Sequence, residues 1–173
     1  MSRHIGVPKR CWLDPRVVAG PSSIAGLGLF ATAPIAEGEV VGILGGRVID
    51  DRELREIART HSTYNSAATA DGVNLLIEND EVIARGNHSC DPNLWMRDEL
   101  TLEARRDIAT GEEVTVDYAL MTSAADWEMA CNCGSQLCRR RIRGDDWMRA
   151  ELQDRYRGHF SPFLNERIEG IGG

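Results

Sequence analysis

The sequence predicts a mostly β (α+β) domain, and three observations carry that reading. Residues 16 to 49 are rich in Val, Ile and Gly, with turn signals at Gly20-Pro21, Ala33-Pro34 and Glu37-Gly38, the texture of short strands. Apolar and polar residues alternate from Leu100 to Ile108 and again from Glu113 to Leu120, on either side of Thr110-Gly111. Helical periodicity is confined to two short segments. With 173 residues, 42% of them apolar, and 17 glycines, one folded domain with room for a short appendage is expected, and a disordered chain is excluded.

Taken in order, the strands of 16 to 49 give way at Asp50-Asp51 to Leu54, Ile57 and Ala58. That i, i+3, i+4 spacing behind an acidic start predicts a helix of about two turns. His61 to Gly72 is small and polar and reads as a loop or weak strand before Asn74-Leu75-Leu76-Ile77. The two alternating segments around Thr110-Gly111 predict two strands joined by a tight turn. Near the end, Asp145 can cap a helix over 145 to 157 in which Met148, Leu152 and Tyr156 share a face and Gly158 marks the stop.

Charge and hydropathy exclude several classes of partner. The net charge of −7 and a pI near 5.1 have the wrong sign for a protein that neutralises phosphates, so direct nucleic-acid binding is not expected. An acidic surface suits a basic peptide. The longest apolar-plus-glycine run, Val40 to Gly46, is far short of the roughly 20 residues that a membrane helix needs. The basic start MSRHIGVPKRCWLDP lacks a following apolar stretch, so a secretory signal is not supported and an intracellular location is expected. Oligomeric state has no signal in the sequence.

Three clusters hold the chemistry. Cys131, Cys133 and Cys138 stand in C-x-C-x4-C spacing, close enough for three thiolates to share a zinc ion at about 2.3 Å each. A closed structural site needs a fourth ligand. Of Cys90 and Cys11 the better candidate is Cys90, inside Asn-His-Ser-Cys-Asp-Pro-Asn; unbound or redox-active thiols are the alternative. Gly26-Leu27-Gly28-Leu29-Phe30 is a glycine-containing turn running into an apolar strand, without the third glycine and helix of a dinucleotide fingerprint. Finally, Gly111 to Tyr118, GEEVTVDY, places a tyrosine at the end of a strand.

These pieces in this order, GLGLFAT, NHSCDPN, GEEVTVDY and CNCGSQLCR, resemble the signature motifs of SET-domain protein-lysine methyltransferases, the last resembling their post-SET zinc motif. The resemblance implies a SET-domain β-clip fold of small, mostly antiparallel sheets with a pseudoknot. It places the SET domain at residues 15–120, and the post-SET zinc motif with a C-terminal helical extension at 125–173. It implies S-adenosylmethionine as methyl donor and a structural zinc on Cys90, Cys131, Cys133 and Cys138. Gly26, Leu27, Gly28, Leu29, Asn87 and His88 match the cofactor-binding positions, and Tyr118 matches the tyrosine beside the transferring methyl. The implied partner is a protein or peptide with a target lysine, a histone-like basic tail by family expectation. The implied location is nucleus and chromatin in a eukaryote, or cytoplasm in a bacterium. A catalytically silent SET-like peptide-binding module and a thiol-redox or zinc-sensing protein are the rival readings.

The neighbouring residues carry further expectations. Asp117 and Glu113 either hold the threaded segment or are solvated strand-edge charges, while His88 is read as a buried, hydrogen-bonded residue rather than a metal ligand or acid-base group. Val116 stands where many family members have Phe or Tyr, which leaves product multiplicity open, and Gly86 stands where a larger apolar residue is usual. Tyr64 is the expected aromatic wall of the lysine channel. Arg139, Arg140, Arg141 and Arg143 read as a solvated basic face, and Trp147 as a packing residue.

Overall fold

Short strands dominate the computed structural model, which describes residues 6–171; Gly172 and Gly173, the end of the expected tail unit, lie outside the described residues. The strands are β1 (Trp12–Leu13), β2 (Val17–Pro21), β3 (Leu27–Ala31), β4 (Val40–Ile43), β5 (Arg47–Asp50), β6 (Asn65–Ala70) and β7 (Val73–Ile77). They continue with β8 (Asn87–His88), β9 (Leu94–Met96), β10 (Thr101–Ala104), β11 (Glu113–Val116), β12 (Glu128–Ala130) and β13 (Arg141–Arg143). Three α-helices are interspersed, α1 (Asp51–Thr60), α2 (Ala150–Arg155) and α3 (Pro162–Ile171).

The sheets are mixed, and one is larger than expected. It holds eight strands in the order β1-β4-β10-β9-β11-β3-β2, with β8 also paired to β11. Most pairings are antiparallel, but β11 runs parallel to both β8 and β9. A three-stranded sheet, β5-β7-β6, and the hairpin β12-β13 complete the set. The core between them is aliphatic, with Val41, Leu75, Met96, Leu120 and Leu164 fully buried and joined by Tyr156 and Phe160 from the tail.

The helix after Asp50 forms as expected. The Asp50 carboxylate accepts a hydrogen bond from the Glu53 N–H at 2.7 Å, satisfying a donor that the first turn leaves free. Only Leu54 of α1 is buried, so most of this helix faces solvent.

Of the two readings for His61 to Gly72, the strand is found: β6, six residues long, pairs with β7 and shifts register between Ala68 and Ala70. Three other expectations change. The segments around Thr110-Gly111 are not a hairpin: β10 pairs with β4 and β9, whereas β11 pairs with β3, β8 and β9. The intervening chain is instead drawn across to Ile35, which exchanges two backbone hydrogen bonds with Ile108 at 3.0 and 2.8 Å. Alternation marks which face of a strand is buried and leaves its neighbour unspecified.

The expected helix over 145 to 157 is broken at Arg149, whose ψ of 124° separates a 3₁₀ turn, Asp146–Met148, from α2. The break lets Asp146 and Trp147 turn inward beside Leu152 and Tyr156, which a straight helix would spread around its circumference. Met148 is left 55% exposed. Gly158 ends the element at φ +78°, and α3 then adds Leu164 to the core. Lastly, the basic stretch is not a uniform solvated face. Arg139 is buried between two carboxylates, while Arg141 and Arg143 pair with Glu128 on the surface.

Gly144 locks the tail against the segment after β11. Its N–H donates to the Trp127 carbonyl at 2.8 Å, and a Cβ on it would lie 1.7 Å from the Ala124 carbonyl oxygen. Gly144→Ala is therefore expected to lower stability by about 1–3 kcal/mol through overpacking, read as a lower denaturant midpoint at unchanged slope.

Candidate functional site

The site is assembled around β11. Its first two residues pair antiparallel with Phe30 and Leu29 of β3, and its last two pair parallel with Asn87 and His88 of β8. The glycine turn, the Asn-His pair and the strand leading to Tyr118 are thereby brought side by side. The Glu113 carboxylate accepts from the Ser22 hydroxyl at 2.8 Å and the Asn87 side-chain amide at 2.8 Å. That amide also lies 3.1 Å from the carbonyls of Ala25 and Leu27. Asn87 and Glu113 thus hold the β2–β3 loop in place, so Glu113 is a bracing group and not a solvated charge.

Both glycines are demanded from within the protein. Gly26 has φ +44°, a left-handed conformation that other residues adopt at a cost. Gly28 lies under Glu113, where a Cβ would stand 2.1 Å from a carboxylate oxygen. Leu27 is exposed, while Leu29 is buried and points into a cavity.

That cavity is mostly apolar, with Asn65, Ser66, Thr115 and Thr122 among its walls, and of its described lining residues only Tyr64 and Tyr118 carry an ionisable side chain. Leu29, Tyr64, Val116, Tyr118 and Trp127 line it, together with the backbone of Gly86. The Tyr118 hydroxyl donates to the Gly86 carbonyl at 2.8 Å, which commits its proton and leaves its oxygen free to accept. Burial pushes this phenol up to about 12. Val116, being aliphatic, leaves room that an aromatic ring would fill, and Tyr64 lines the cavity as a wall.

Behind the cavity lies a buried polar network. The Tyr118 N–H donates to His88 Nδ1 at 3.2 Å, so Nε2 carries the ring proton and faces Cys90 Sγ at 3.3 Å. Burial, only partly offset by the Asp117 charge, lowers the His88 pKa to about 4 and keeps the imidazole neutral. Asp117 is fully buried. Arg139 grips both of its oxygens at 2.7 and 2.8 Å, and the Tyr156 hydroxyl donates to it at 3.1 Å. Burial pushes the Asp117 carboxyl upward, but these hydrogen bonds and neighbouring charges outweigh it and hold the group below the usual range.

The cysteine sulfurs of 90, 131, 133 and 138 lie within 4.8 Å of one another, and none is in a disulfide. The N–H groups of Arg139 and Arg140 point at Cys90 and Cys138 at 3.3 and 3.4 Å, and the Cys90 N–H points at Cys133 at 3.5 Å. Burial pushes the Cys90 thiol up to about 11 and raises that of Cys131, whereas at Cys133 the Cys90 N–H and Ser135 outweigh burial and lower the pKa to about 6. Cys11 is remote, exchanging contacts with the Gly45 backbone instead.

A model of the SET domain family matches residues 26–119, more than half of the 173-residue chain. The chain belongs to the SET-domain family. A similar protein is Histone-lysine N-methyltransferase ATX2 of Arabidopsis thaliana, 33% identical over 140 residues, covering 72% of this chain and 13% of that relative. Methyltransferase flvH of Aspergillus flavus is 36% identical over 116 residues, covering 62% of this chain and 60% of its own. The chain thus spans 13% of the length of ATX2. The crystal structure of the methyltransferase domain of human Histone-lysine N-methyltransferase SETMAR matches with a TM-score of 0.60 at 21% identity, over 74% of this chain and 58% of that one. At that identity the likeness is one of fold.

Within this SET-domain arrangement, sequence reasoning missed two residues. Trp127 lies in the unassigned stretch before Cys131, and its ring stands 6.2 Å from that of Tyr118; the only signal was an aromatic in a chain with few of them. Arg139 hid in a run of arginines. Trp147 is buried as expected.

All three tyrosines of the chain have raised pKa values, Tyr64 and Tyr118 by burial, and Tyr156 by burial and the Asp117 charge. An ultraviolet titration should show no tyrosinate in the folded protein up to the reference value of about 10. The folded values exceed the unfolded one, so the associated stability is complete below that pH. It is lost as pH rises, for Tyr118 through about 12.

Proposed function

We propose that this SET-domain chain is a protein-lysine N-methyltransferase using S-adenosylmethionine as methyl donor. The observation that carries the proposal is the Tyr118 hydroxyl, anchored on the Gly86 carbonyl, facing an aromatic-walled cavity with no carboxylate, imidazole or amine among its described lining residues. The donor fits the loop of Gly26, Leu27, Gly28 and Leu29 with Asn87 and His88, since Gly26, with open space where a Cβ would stand, and the exposed Leu27 leave the loop accessible while Leu29 lines the cavity. When bound, the donor supplies an electrophilic methyl on a sulfonium.

The protein's residues then have two tasks. The target lysine must be neutral to attack, which costs about 4–5 kcal/mol at pH 7 for a reference amine. An apolar wall of Leu29, Val116 and Trp127 disfavours the ammonium and promotes proton loss to water. No dedicated base is required, and none is at hand: His88 is engaged with Tyr118 and Cys90, and Asp117 with Arg139. Second, the methyl must lie in line with the nitrogen. The Tyr118 oxygen, its proton held by Gly86, can accept C–H···O contacts worth about 0.5–1 kcal/mol each. Positioning supplies most of the rate.

The four cysteines form a closed set, the kind that holds a structural zinc with no open position for catalysis. Zinc there would join residue 90 to the chain around 131–138 and so fasten the post-SET unit, 125–173, onto the SET domain, 15–120. Histone-lysine methyltransferase relatives and the acidic net charge of −7 support a basic histone-like tail as substrate. With such a substrate the place of action is chromatin; another basic protein would serve in a cytoplasm without histones. Among the described residues no helix is long and apolar enough to cross a membrane.

Transfer of labelled methyl from S-adenosylmethionine to histones or a basic protein mixture tests the proposal, and binding of the donor without transfer would refute it. Tyr118→Phe is expected to lower kcat on the order of 10²-fold or more, with a stability loss of only about 1–2 kcal/mol for the missing hydrogen bond. Metal analysis should find one zinc per chain, held through mild oxidation. Cys131→Ser or chelation should release it and expose the tail to limited proteolysis.

A further inference from the structure

Tyr118 begins a 3₁₀ turn, Tyr118–Leu120, whose cap is Asp117; the carboxylate accepts from the Ala119 N–H at 3.1 Å. The same carboxylate is held from the other side by a planar fork. Arg139 donates Nη1 to one oxygen at 2.7 Å and Nη2 to the other at 2.8 Å, and turns its Nε to Asp146 at 3.0 Å. Its side chain is only 7% exposed, between two carboxylates that are 0% and 5% exposed. Meanwhile its backbone N–H points at Cys90 Sγ. One residue therefore touches the cap of the tyrosine turn, the cysteine cluster and the first turn of the C-terminal segment.

We infer that Arg139 is a positioning residue for Tyr118, setting the turn that carries the phenol and coupling it to the cysteine cluster and the C-terminal segment. The inference rests on the reading of Tyr118 as the residue beside the transferred methyl. A single guanidinium satisfies both oxygens of Asp117 and still reaches Asp146, a geometry that an ammonium of equal charge cannot reproduce. The phenol tip is fixed on Gly86 and the Tyr118 N–H on His88. The remaining freedom is rotation of the turn about its cap, and the fork removes it. Tyr156 adds a second tie from the tail to the same carboxylate.

The test uses the full zinc-loaded chain labelled with 3-fluorotyrosine, whose three tyrosines give three fluorine resonances, assigned with Tyr118→Phe and Tyr64→Phe. Arg139→Lys is expected to lower kcat by about tenfold or more through misplacement of Tyr118, with the KM for methyl donor changed by no more than about threefold. Zinc should be retained, the Tyr118 resonance should shift and broaden, and the Tyr64 resonance should stay in place. If Arg139→Lys fails to fold, the triple change Arg139→Met, Asp117→Asn and Asp146→Asn removes the buried charges together and is read in the same way. An unmoved Tyr118 resonance with kcat within about twofold of the parent overturns the inference. So does equal movement of the Tyr64 resonance with loss of zinc, which would show general loosening. Absence of methyl transfer by the parent, with the Tyr118 resonance still moving in Arg139→Lys, refutes the enzymatic reading and upholds the coupling.

Discussion

Strand β11 is four residues long, and both of its edges are used. Backbone groups removed from water must find partners, and Glu113 to Val116 find them in β3 and β8 along one edge and in β9 along the other. Because those neighbours are the glycine turn and the Asn-His segment, satisfying one short strand brings into register three pieces of chain from distant parts of the sequence. The side chains reinforce that register: Asn93 donates to the Glu113 carbonyl and accepts from the Thr115 N–H, both at 2.8 Å. A slip of one residue would turn Val114 and Val116 away from the core.

Charge is kept out of the cavity and concentrated directly behind it. The lining residues are aliphatic, aromatic or uncharged polar groups, whereas Asp117, Arg139 and Asp146 lie buried a few residues away. Burying such ions is tolerable only when they are paired and their remaining hydrogen-bonding positions filled. Here the Tyr156 hydroxyl, the Ala119 N–H and the Arg143 N–H complete the set. The arrangement gives a low-polarity pocket beside a rigid polar frame, which suits chemistry that depends on a neutral amine and a fixed direction of attack.

The tail is fastened to the sheets in several independent ways. The Arg139 N–H donates to Cys90 Sγ, beside the sulfurs of 131, 133 and 138. Arg155 donates to the Cys90 carbonyl at 3.1 Å. Tyr156, Phe160 and Leu164 fill the main core, and His159 stacks on Trp95 with ring centroids 3.4 Å apart. The C-terminal residues are therefore part of the same hydrophobic core as the sheets, and Tyr156 ties them to Asp117, the cap of the Tyr118 turn.

The sequence by itself determined what depends on a few neighbouring residues: the capped start at Asp50, the glycine turn at 26–28, the stop at Gly158 and the thiol spacing of 131–138. It also determined the family, since its motifs are local strings whose residue types are chemically restricted. Only the tertiary structure decided which strands pair, why Arg139 alone among the neighbouring arginines has a buried side chain, how the helix divides at Arg149, and that Trp127 faces Tyr118. Alternation and charge runs describe a residue's preference for water or core. Its partner is chosen by which distant groups become buried together, and no window of neighbouring residues contains that information.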